Sequence, residues 1–187
     1  LGDVERKRGN YSTAMNLYVQ ALKILQDTLG ASHIEVADVL FSMGLVDNQL
    51  EDYQGALKKF KTAQEIIKRE FGSGHYKEGL VLNNSGLSHA MLQQFNDSYQ
   101  DLRAAKTILI KQLGAHHVEV ADCLTSLGDV CMKLFVEGTN DGTKLQEALK
   151  HYTEANTIVL KVFGPQHKKA EQLSSLLYIC ENYSSFQ

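Results

Sequence analysis

A short phrase that recurs along the chain constrains the fold more than any other feature of the sequence. It reads Leu-Gly-Ala-Ser-His at 29–33, and variants of it end at His75, His117 and His167. His33, His75 and His117 are 42 residues apart. The step from His117 to His167 is 50 residues, so about eight residues are inserted before the fourth copy. A fixed period of this length indicates an array of similar structural repeats, each packed on its neighbours.

Further positions keep the same period and point to two helices in each repeat. Within 53–70, Ala56, Phe60 and Ala63 fall on one helical face. Glycine inside a helix costs about 1 kcal/mol relative to alanine, so a recurring Gly44 predicts a close crossing of the paired helix. The periodic positions are Gly2, Gly44, Gly86 and Gly128; Ala14, Ala56, Ser98 and Ala148; Tyr18, Phe60, Leu102 and Tyr152; and Ala21, Ala63, Ala105 and Ala155. The pattern predicts helices over about 1–8, 11–28, 35–49, 53–70, 77–93, 96–112, 118–135, 144–162 and 168–183.

The connector phrase, together with Leu-Asn-Asn-Ser-Gly at 82–86, resembles the tetratricopeptide repeat (TPR) domain of kinesin light chain. That domain repeats a phrase close to LGxxHPxVAxxLNNLA. The resemblance implies an all-α fold: a right-handed α-solenoid of antiparallel helix pairs, the TPR superhelix, with about nine helices. It implies a single array over 1–187. In the last helix, Leu-Ser-Ser-Leu-Leu at 173–177 aligns with Leu-Thr-Ser-Leu-Gly at 124–128, so Leu177 is predicted to take the periodic glycine position after a connector one residue shorter. The expected parts are a partial repeat 1–32, repeats 33–74, 75–116 and 117–166, and a terminal helix 167–187.

In the resembled fold, the first helix of each pair faces the concave side, and this placement predicts a partner-binding groove. In the family, asparagines of the repeated phrase contact the main chain of a cargo peptide, a role that carries over to Asn83 and Asn84. The alternative for Asn83 is a surface amide that is bonded within the stack. The predicted groove residues are Asp38, Phe41, Leu45, Asn48, Leu80, Asn83, Asn84, Leu87, Met91, Asp122, Thr125, Asp129 and Lys133.

These groove residues favour an interaction scaffold or adaptor that binds a protein or peptide partner. The three aspartates beside apolar side chains predict a partner segment that carries apolar and basic groups. The alternative is a self-assembly or autoregulatory module of a larger protein, with a homodimer formed through exposed terminal helices. A net charge of −3 argues against nucleic acid as the partner, and no apolar run is long enough for membrane insertion.

The sequence contains no motif of a nucleotide-binding loop, a metalloprotease or a serine hydrolase, so we expect no enzymatic activity, no cofactor and no metal. The periodic histidines stand one repeat apart, too far to share a metal ion, and are expected to cap or pack against the helix that follows each of them. Cys123, Cys131 and Cys180 lie in helical patterns without paired spacing, which predicts buried thiols and a cytoplasmic location. The insertion at 136–143 predicts an exposed loop, either a tolerated insertion or a contact loop for a partner.

Overall fold

The computed structural model describes residues 1–138 and 142–185, and within these ranges every regular element is an α-helix. Each of the nine predicted helices is present, with ends within two residues of the prediction. The helices are α1 (Gly2–Lys7), α2 (Tyr11–Leu29), α3 (Ile34–Gln49), α4 (Tyr53–Phe71), α5 (Tyr76–Met91), α6 (Phe95–Leu113), α7 (Val118–Glu137), α8 (Gly142–Phe163) and α9 (Lys168–Ser185). The all-α prediction is therefore confirmed for the described chain.

The contacts divide the chain into two compact units. Unit 1, Leu1–Gln93, holds α1 to α5, and unit 2, Gln94–Gln187, holds α6 to α9. The boundary falls between α5 and α6, inside the segment predicted as repeat 75–116. That residues 1–187 form one continuous array stays a prediction.

The periodic histidines cap the helices that follow them, as expected. In His33, His75 and His117, Nδ1 accepts a hydrogen bond from the backbone N–H two residues later, at 3.2–3.3 Å. His167 makes the same bond to the N–H of Lys169 at 3.2 Å. Each of these bonds satisfies a donor that the first turn of a helix leaves without an intrahelical partner.

The periodic glycines and the periodic aromatic residues meet each other within the helix pairs. A Cβ placed on Gly2 would stand 2.6 Å from the ring of Tyr18, and one placed on Gly44 would stand 2.5 Å from the ring of Phe60. In unit 2 the ring of Tyr152 occupies the same place above Gly128. The glycine is thus required because the aromatic ring of the partner helix lies directly on the backbone, as the recurrence predicts.

Helix α9 departs from the predicted alignment. Because His167 caps α9 in the same way that His117 caps α7, no residue is missing from the connector. Buried Ala170, Leu173 and Cys180 then fall at the positions that Val120, Cys123 and Val130 hold in α7. The prediction that Leu177 replaces the periodic glycine is wrong by one residue: Tyr178 stands there, and it is 67% exposed.

The segment with the insertion is described only in part. Val136 and Glu137 end α7 and Gly142 begins α8, whereas residues 139–141 of the predicted loop lie outside the described residues. The first turns of α8 are tied to α6, because Glu147 accepts hydrogen bonds from Tyr99 Oη and from Lys144 Nζ, both at 2.8 Å. Lys144 Nζ also lies 4.1 Å from the centre of the Tyr99 ring, a cation–π contact. These contacts fix the start of α8 after the interruption.

Candidate binding clefts

Two clefts occupy equivalent places, one in each unit. The first cleft, in unit 1, lies among α3, α4 and α5, and the second cleft, in unit 2, lies among α7, α8 and α9. Residues that line the first cleft recur in the second 84 positions later on α7 and 92 positions later on α8 and α9. The equivalent pairs are Asp38 and Asp122, Phe41 and Thr125, Ser42 and Ser126, Ile67 and Val159, Lys77 and Lys169, Leu80 and Gln172, and Val81 and Leu173.

The same ion pair closes one side of each cleft. In unit 1, Lys77 Nζ lies 2.6 Å from Asp38 Oδ1. In unit 2, Lys169 Nζ lies 2.6 Å from Asp122 Oδ1. All four side chains are partly exposed to solvent, so each pair contributes at most about 1 kcal/mol to stability and is free to exchange partners.

The first cleft is small because an aromatic side chain fills part of it. Its volume is about 220 Å³. The Phe41 ring is half-buried and packs against the Phe60 ring, with centroids 5.7 Å apart. Leu80 adds a second apolar side chain to the lining. The first cleft is therefore a shallow, mainly apolar depression with one ion pair at its edge.

The second cleft is larger and more polar, with a volume of about 620 Å³. Thr125 and Gln172 stand where the first cleft has Phe41 and Leu80, and Asp129, Ser175 and Leu176 extend the lining. The apolar part of its wall comes from Val159, Leu173 and Leu176.

Asp129 connects the second cleft to the buried part of the helix pair. Its Oδ1 accepts a 2.7 Å hydrogen bond from the hydroxyl of Tyr152, the ring that packs on Gly128. The residue as a whole is open to solvent, but protein packed around the carboxyl group raises its pKa, and the bond from Tyr152 opposes that change. For Tyr152, burial and the neighbouring carboxylate both raise the pKa, so the phenol stays protonated and acts as the donor.

A hollow of about 420 Å³ adjoins the second cleft at Asp129. It is lined mainly by apolar side chains, among them Met132, Val136 and Ile179, and it also contains the predicted groove residue Lys133. Cys180 forms part of its floor and is 1% exposed, and burial raises the pKa of this thiol to about 11. A thiol with so high a pKa is protonated at neutral pH and is a poor nucleophile.

Of the thirteen predicted groove residues, the structure brings six into the clefts and one into the hollow. Asp38, Phe41 and Leu80 line the first cleft, and Asp122, Thr125 and Asp129 line the second. Lys133 lines the adjoining hollow. Leu45 is packed against the unit 1 core instead, while Leu87 and Met91 are 39% and 61% exposed on α5.

The predicted asparagines are engaged to different degrees. Asn48 Oδ1 accepts a 2.8 Å hydrogen bond from the hydroxyl of Ser88, and Asn84 Nδ2 donates to the carbonyl oxygen of Leu80 at 2.9 Å. Asn83 differs, because its Oδ1 is buried and has no hydrogen-bond partner. Contact of Asn83 with a partner peptide therefore stays a prediction, as does its alternative, a bond within the stack.

Each aspartate on which the prediction of a basic partner rested already has a partner within its own unit. Asp38 and Asp122 pair with lysines of the following first helix, and Asp129 accepts from Tyr152. Treating the three aspartates as free negative charges therefore overstates their attraction for a basic partner. Sequence reasoning missed Lys77 and Lys169 because it compared repeats one at a time. The signal was present in the alternation of Glu35, Lys77, Glu119 and Lys169 at one repeat position.

The described residues contain no group of three or more His, Cys, Asp or Glu side chains that could hold a metal ion. Nor does any helix in 1–138 or 142–185 have the length and apolar character needed to cross a membrane. Cys123, Cys131 and Cys180 are buried thiols, as predicted.

Residues 1–69 match the family model of the tetratricopeptide repeat, TPR_12. No curated protein matches the sequence. Among solved structures, the putative kinesin light chain nearly identical TPR-like repeats from Podosopora anserina are 15% identical to this chain, with a TM-score of 0.77. That match covers 100% of this chain and 85% of the other. The prediction of a tetratricopeptide repeat is thus confirmed by sequence for residues 1–69, and the likeness to the kinesin light chain repeats is one of fold.

Two further solved structures share the fold. BtubC (BKLC) from P. vanneervenii is 15% identical over 99% of this chain and 78% of its own, with a TM-score of 0.66. The Rap conjugation gene regulator of the plasmid pLS20, solved in complex with the Phr* peptide, is 15% identical, with a TM-score of 0.67. That match covers 98% of this chain and 52% of the Rap regulator. At these identities the matches show the fold alone.

Proposed function

We propose that this chain is a non-catalytic scaffold that binds a segment of a partner protein. Residues 1–69 match the tetratricopeptide repeat by sequence, and the fold of the whole chain is that of the repeat. The observation that carries the proposal is the recurrence of one cleft in both units, with the same Asp–Lys pair at its edge. Each cleft is an open depression between first helices, which suits a peptide chain laid across it better than a small substrate that must be enclosed.

The fold neighbour solved with a bound peptide supports this class of function. The Rap regulator carries the Phr* peptide on a fold that 98% of this chain matches. The transfer concerns the use of the fold and not the identity of the partner, because the two sequences are 15% identical. We propose an adaptor role, with a protein or peptide as the partner and without nucleic acid, and a cytoplasmic location consistent with three buried thiols.

The proposal is tested by selecting peptides from a displayed random library and measuring their affinity for variants of each unit. Ser42→Arg and Ser126→Arg place a long charged side chain in the first and second cleft. Thr157→Arg is the matched control, since Thr157 is exposed on α8 and does not line either cleft. Selected peptides should lose affinity for a cleft variant and keep it for the control. A library that yields no binder, or binders that are indifferent to both cleft variants, would refute the proposal.

Self-assembly is the second candidate, and apolar exposure on α9 favours it. Tyr178, Ile179 and Tyr183 are 67%, 46% and 47% exposed on this helix. Exposed side chains of this size suit contact with a second copy of the chain. Light scattering over a concentration series decides the matter. A mass that rises with concentration, and falls back in Tyr178→Ser/Ile179→Ser, supports the homodimer, whereas a monomer at every concentration rules it out.

A further inference from the structure

The two clefts differ in their aromatic lining, because Phe41 and Tyr76 line the first cleft and no aromatic ring of the described chain lines the second. In the first cleft Phe41 packs against the core cluster that contains Ile67 and Val81, and all three residues line the cleft. In the second cleft the corresponding space over Val159 and Leu173 is open, because Thr125 takes the place of Phe41. The volumes, about 220 and 620 Å³, follow this difference. Unit 1 thus shows, with its own side chain, what kind of group the space in unit 2 can hold.

Hydrogen bonds leave the polar wall of the second cleft rich in acceptors. The hydroxyls of Thr125 and Ser126 donate to carbonyl oxygens of their own helix at 2.9 and 3.1 Å. The hydroxyl of Ser175 does the same on α9, at 3.0 Å. Since a hydroxyl has one proton to donate, these three oxygens offer only lone pairs to the cleft. At these three oxygens, a ligand must supply the donor.

Asp129 adds a negative charge to this set of acceptors. Its Oδ1 accepts from Tyr152 at 2.7 Å, which leaves the remaining lone pairs of the carboxylate for a ligand, and the residue as a whole is open to solvent. The only lysine that lines the cleft, Lys169, is already paired with Asp122. A cationic side chain with several N–H groups therefore complements the wall near Asp129, and an acidic one would be repelled.

We propose that the second cleft binds a partner segment that inserts an aromatic side chain beside Thr125 and places an arginine or lysine at Asp129. The inference rests on the proposed function and specifies the partner of that same site. Thr125 and Asp129 are four residues apart on α7, a rise of about 6 Å along the helix. Alternate residues of an extended peptide are about 6.6 Å apart and point to the same side. The aromatic and the basic residue are therefore separated by one residue, in either order.

Binding of short labelled peptides in a Gly-Ser background, followed by fluorescence anisotropy, tests the inference. Two probes carry Phe-Ser-Arg and Arg-Ser-Phe. Each probe has two matched controls, one with Phe replaced by Ala and one with Arg replaced by Glu. At least one of the two probes should bind the wild-type chain, and both controls should bind at least about tenfold more weakly, as expected for loss of an anchor residue. Equal binding of the Glu control, or preference for it, would overturn the charge assignment.

Three variants of the protein separate the site from the rest of the chain. Thr125→Phe fills the space as Phe41 does in unit 1, and should weaken the bound probe at least about tenfold. Thr157→Phe adds the same ring at an exposed position outside both clefts, and this matched control should keep the affinity, so that a loss in Thr125→Phe comes from filling the open space. Asp129→Asn keeps an oxygen for Tyr152 but removes the charge, and should weaken the probe while helical content, measured by circular dichroism, is unchanged.

The outcomes distinguish this inference from the broader proposal. Library-selected peptides that bind the wild type, while neither Phe-Arg probe does, would overturn the inference and leave the scaffold function standing. The same holds if a probe binds but Thr125→Phe and Asp129→Asn bind it as tightly as the wild type. Absence of binding by the probes and by every selected peptide would overturn both.

Discussion

The ring of Phe60 lies directly on the backbone of Gly44, so that a Cβ at residue 44 would be 2.5 Å from Cε1 of the ring. Phe60 itself has no exposed surface and belongs to the core cluster of unit 1. The ring cannot swing away, because the space around it is filled by other buried side chains. One contact therefore explains why two separate positions recur with the same period.

We expect Gly44→Ala to destabilise the protein, although alanine is the better helix former. The gain in helix propensity is about 1 kcal/mol, while forcing a methyl group into a packed core costs about 1–3 kcal/mol. Urea unfolding should show a net loss of stability. The double variant Gly44→Ala/Phe60→Leu should recover part of that loss, because leucine, the residue at the same repeat position 102, is slimmer than phenylalanine. If the double variant loses as much free energy of unfolding as the two single variants lose together, the ring is not the obstacle.

The repeat itself was predictable because each of its signals is a local rule applied several times. His33, His75 and His117 cap helices through a bond to a residue two positions away, so their role depends on adjacent sequence alone. Helix ends followed from these caps to within two residues. The glycine–aromatic contact was predicted in part: the recurrence of glycine implied a close helix crossing, but not that an aromatic ring would lie on the glycine.

The lining of the clefts was less predictable, because it depends on contacts between repeats. The pairing of Lys77 with Asp38 joins residues 39 positions apart, and nothing in either local segment requires it. Similarly, Asp129 was predicted as an acidic groove residue, and its hydrogen bond from Tyr152 could not be predicted because it follows from a contact between α7 and α8. The register of α9 was misjudged because leucines at 173 and 176 imitate those at 124 and 127, one residue out of step.

We expect the capping and the stacking of His75 to be separable by mutation. The ring accepts from the N–H of Lys77 and stacks on Phe71, with centroids 4.2 Å apart and an interplanar angle of 16°. His75→Ala removes both contacts and should cost about 1 kcal/mol or more, whereas His75→Asn keeps an acceptor for the cap. Thermal unfolding of His75→Asn and His33→Asn isolates the ring contacts of His75 with Phe71 and Tyr76, because Leu29 and Ile34 stand at those two positions in the earlier repeat. Equal losses in these two variants would show that stacking contributes nothing.

The ion pair between Asp47 and Lys59 should make stability depend on pH once it is broken. Asp47 is 5% exposed, and its carboxylate lies 2.5 Å from Lys59 Nζ. Burial raises the pKa of Asp47, and the bond from Lys59 opposes that rise. Lys59→Met removes the opposing partner, so the pKa should rise further above its unfolded value. The contribution of Asp47 to the stability of this variant is then greatest at acid pH and falls as pH rises through the folded pKa.

Urea unfolding of Lys59→Met at pH 4 and pH 7 measures this effect. We expect a loss of about 2 kcal/mol relative to wild type at pH 7, since the side chain of Lys59 is partly exposed, and a smaller loss at pH 4. Lys58→Met, on the same helix, is the matched control and should change little at either pH. The same loss at both pH values would mean that Lys59 contributes through its packing and not through its charge.

His151 is the residue through which we expect moderate acid to weaken unit 2. It is 8% exposed, and its Nδ1 is buried without a hydrogen-bond partner. Burial, reinforced by the positive charge of Lys106, lowers its pKa to about 4, against an opposing effect of Glu154 and Glu147. It stands at the repeat position of Lys59, and Cys131 stands at that of Asp47, so the carboxylate that would support a positive charge is missing.

The direction of the pH dependence follows from that lowered pKa. Between about pH 6.5 and pH 4 the unfolded chain binds a proton that the folded chain does not, so stability is full above pH 6.5 and declines as pH falls. At pH 5, where most carboxylates are still charged, the expected loss is about 2 kcal/mol. His151→Gln should abolish this part of the difference between urea unfolding at pH 7.5 and pH 5. His116→Gln, at an exposed position, should retain the wild-type difference, and an equal change in both variants would exclude His151 as the origin.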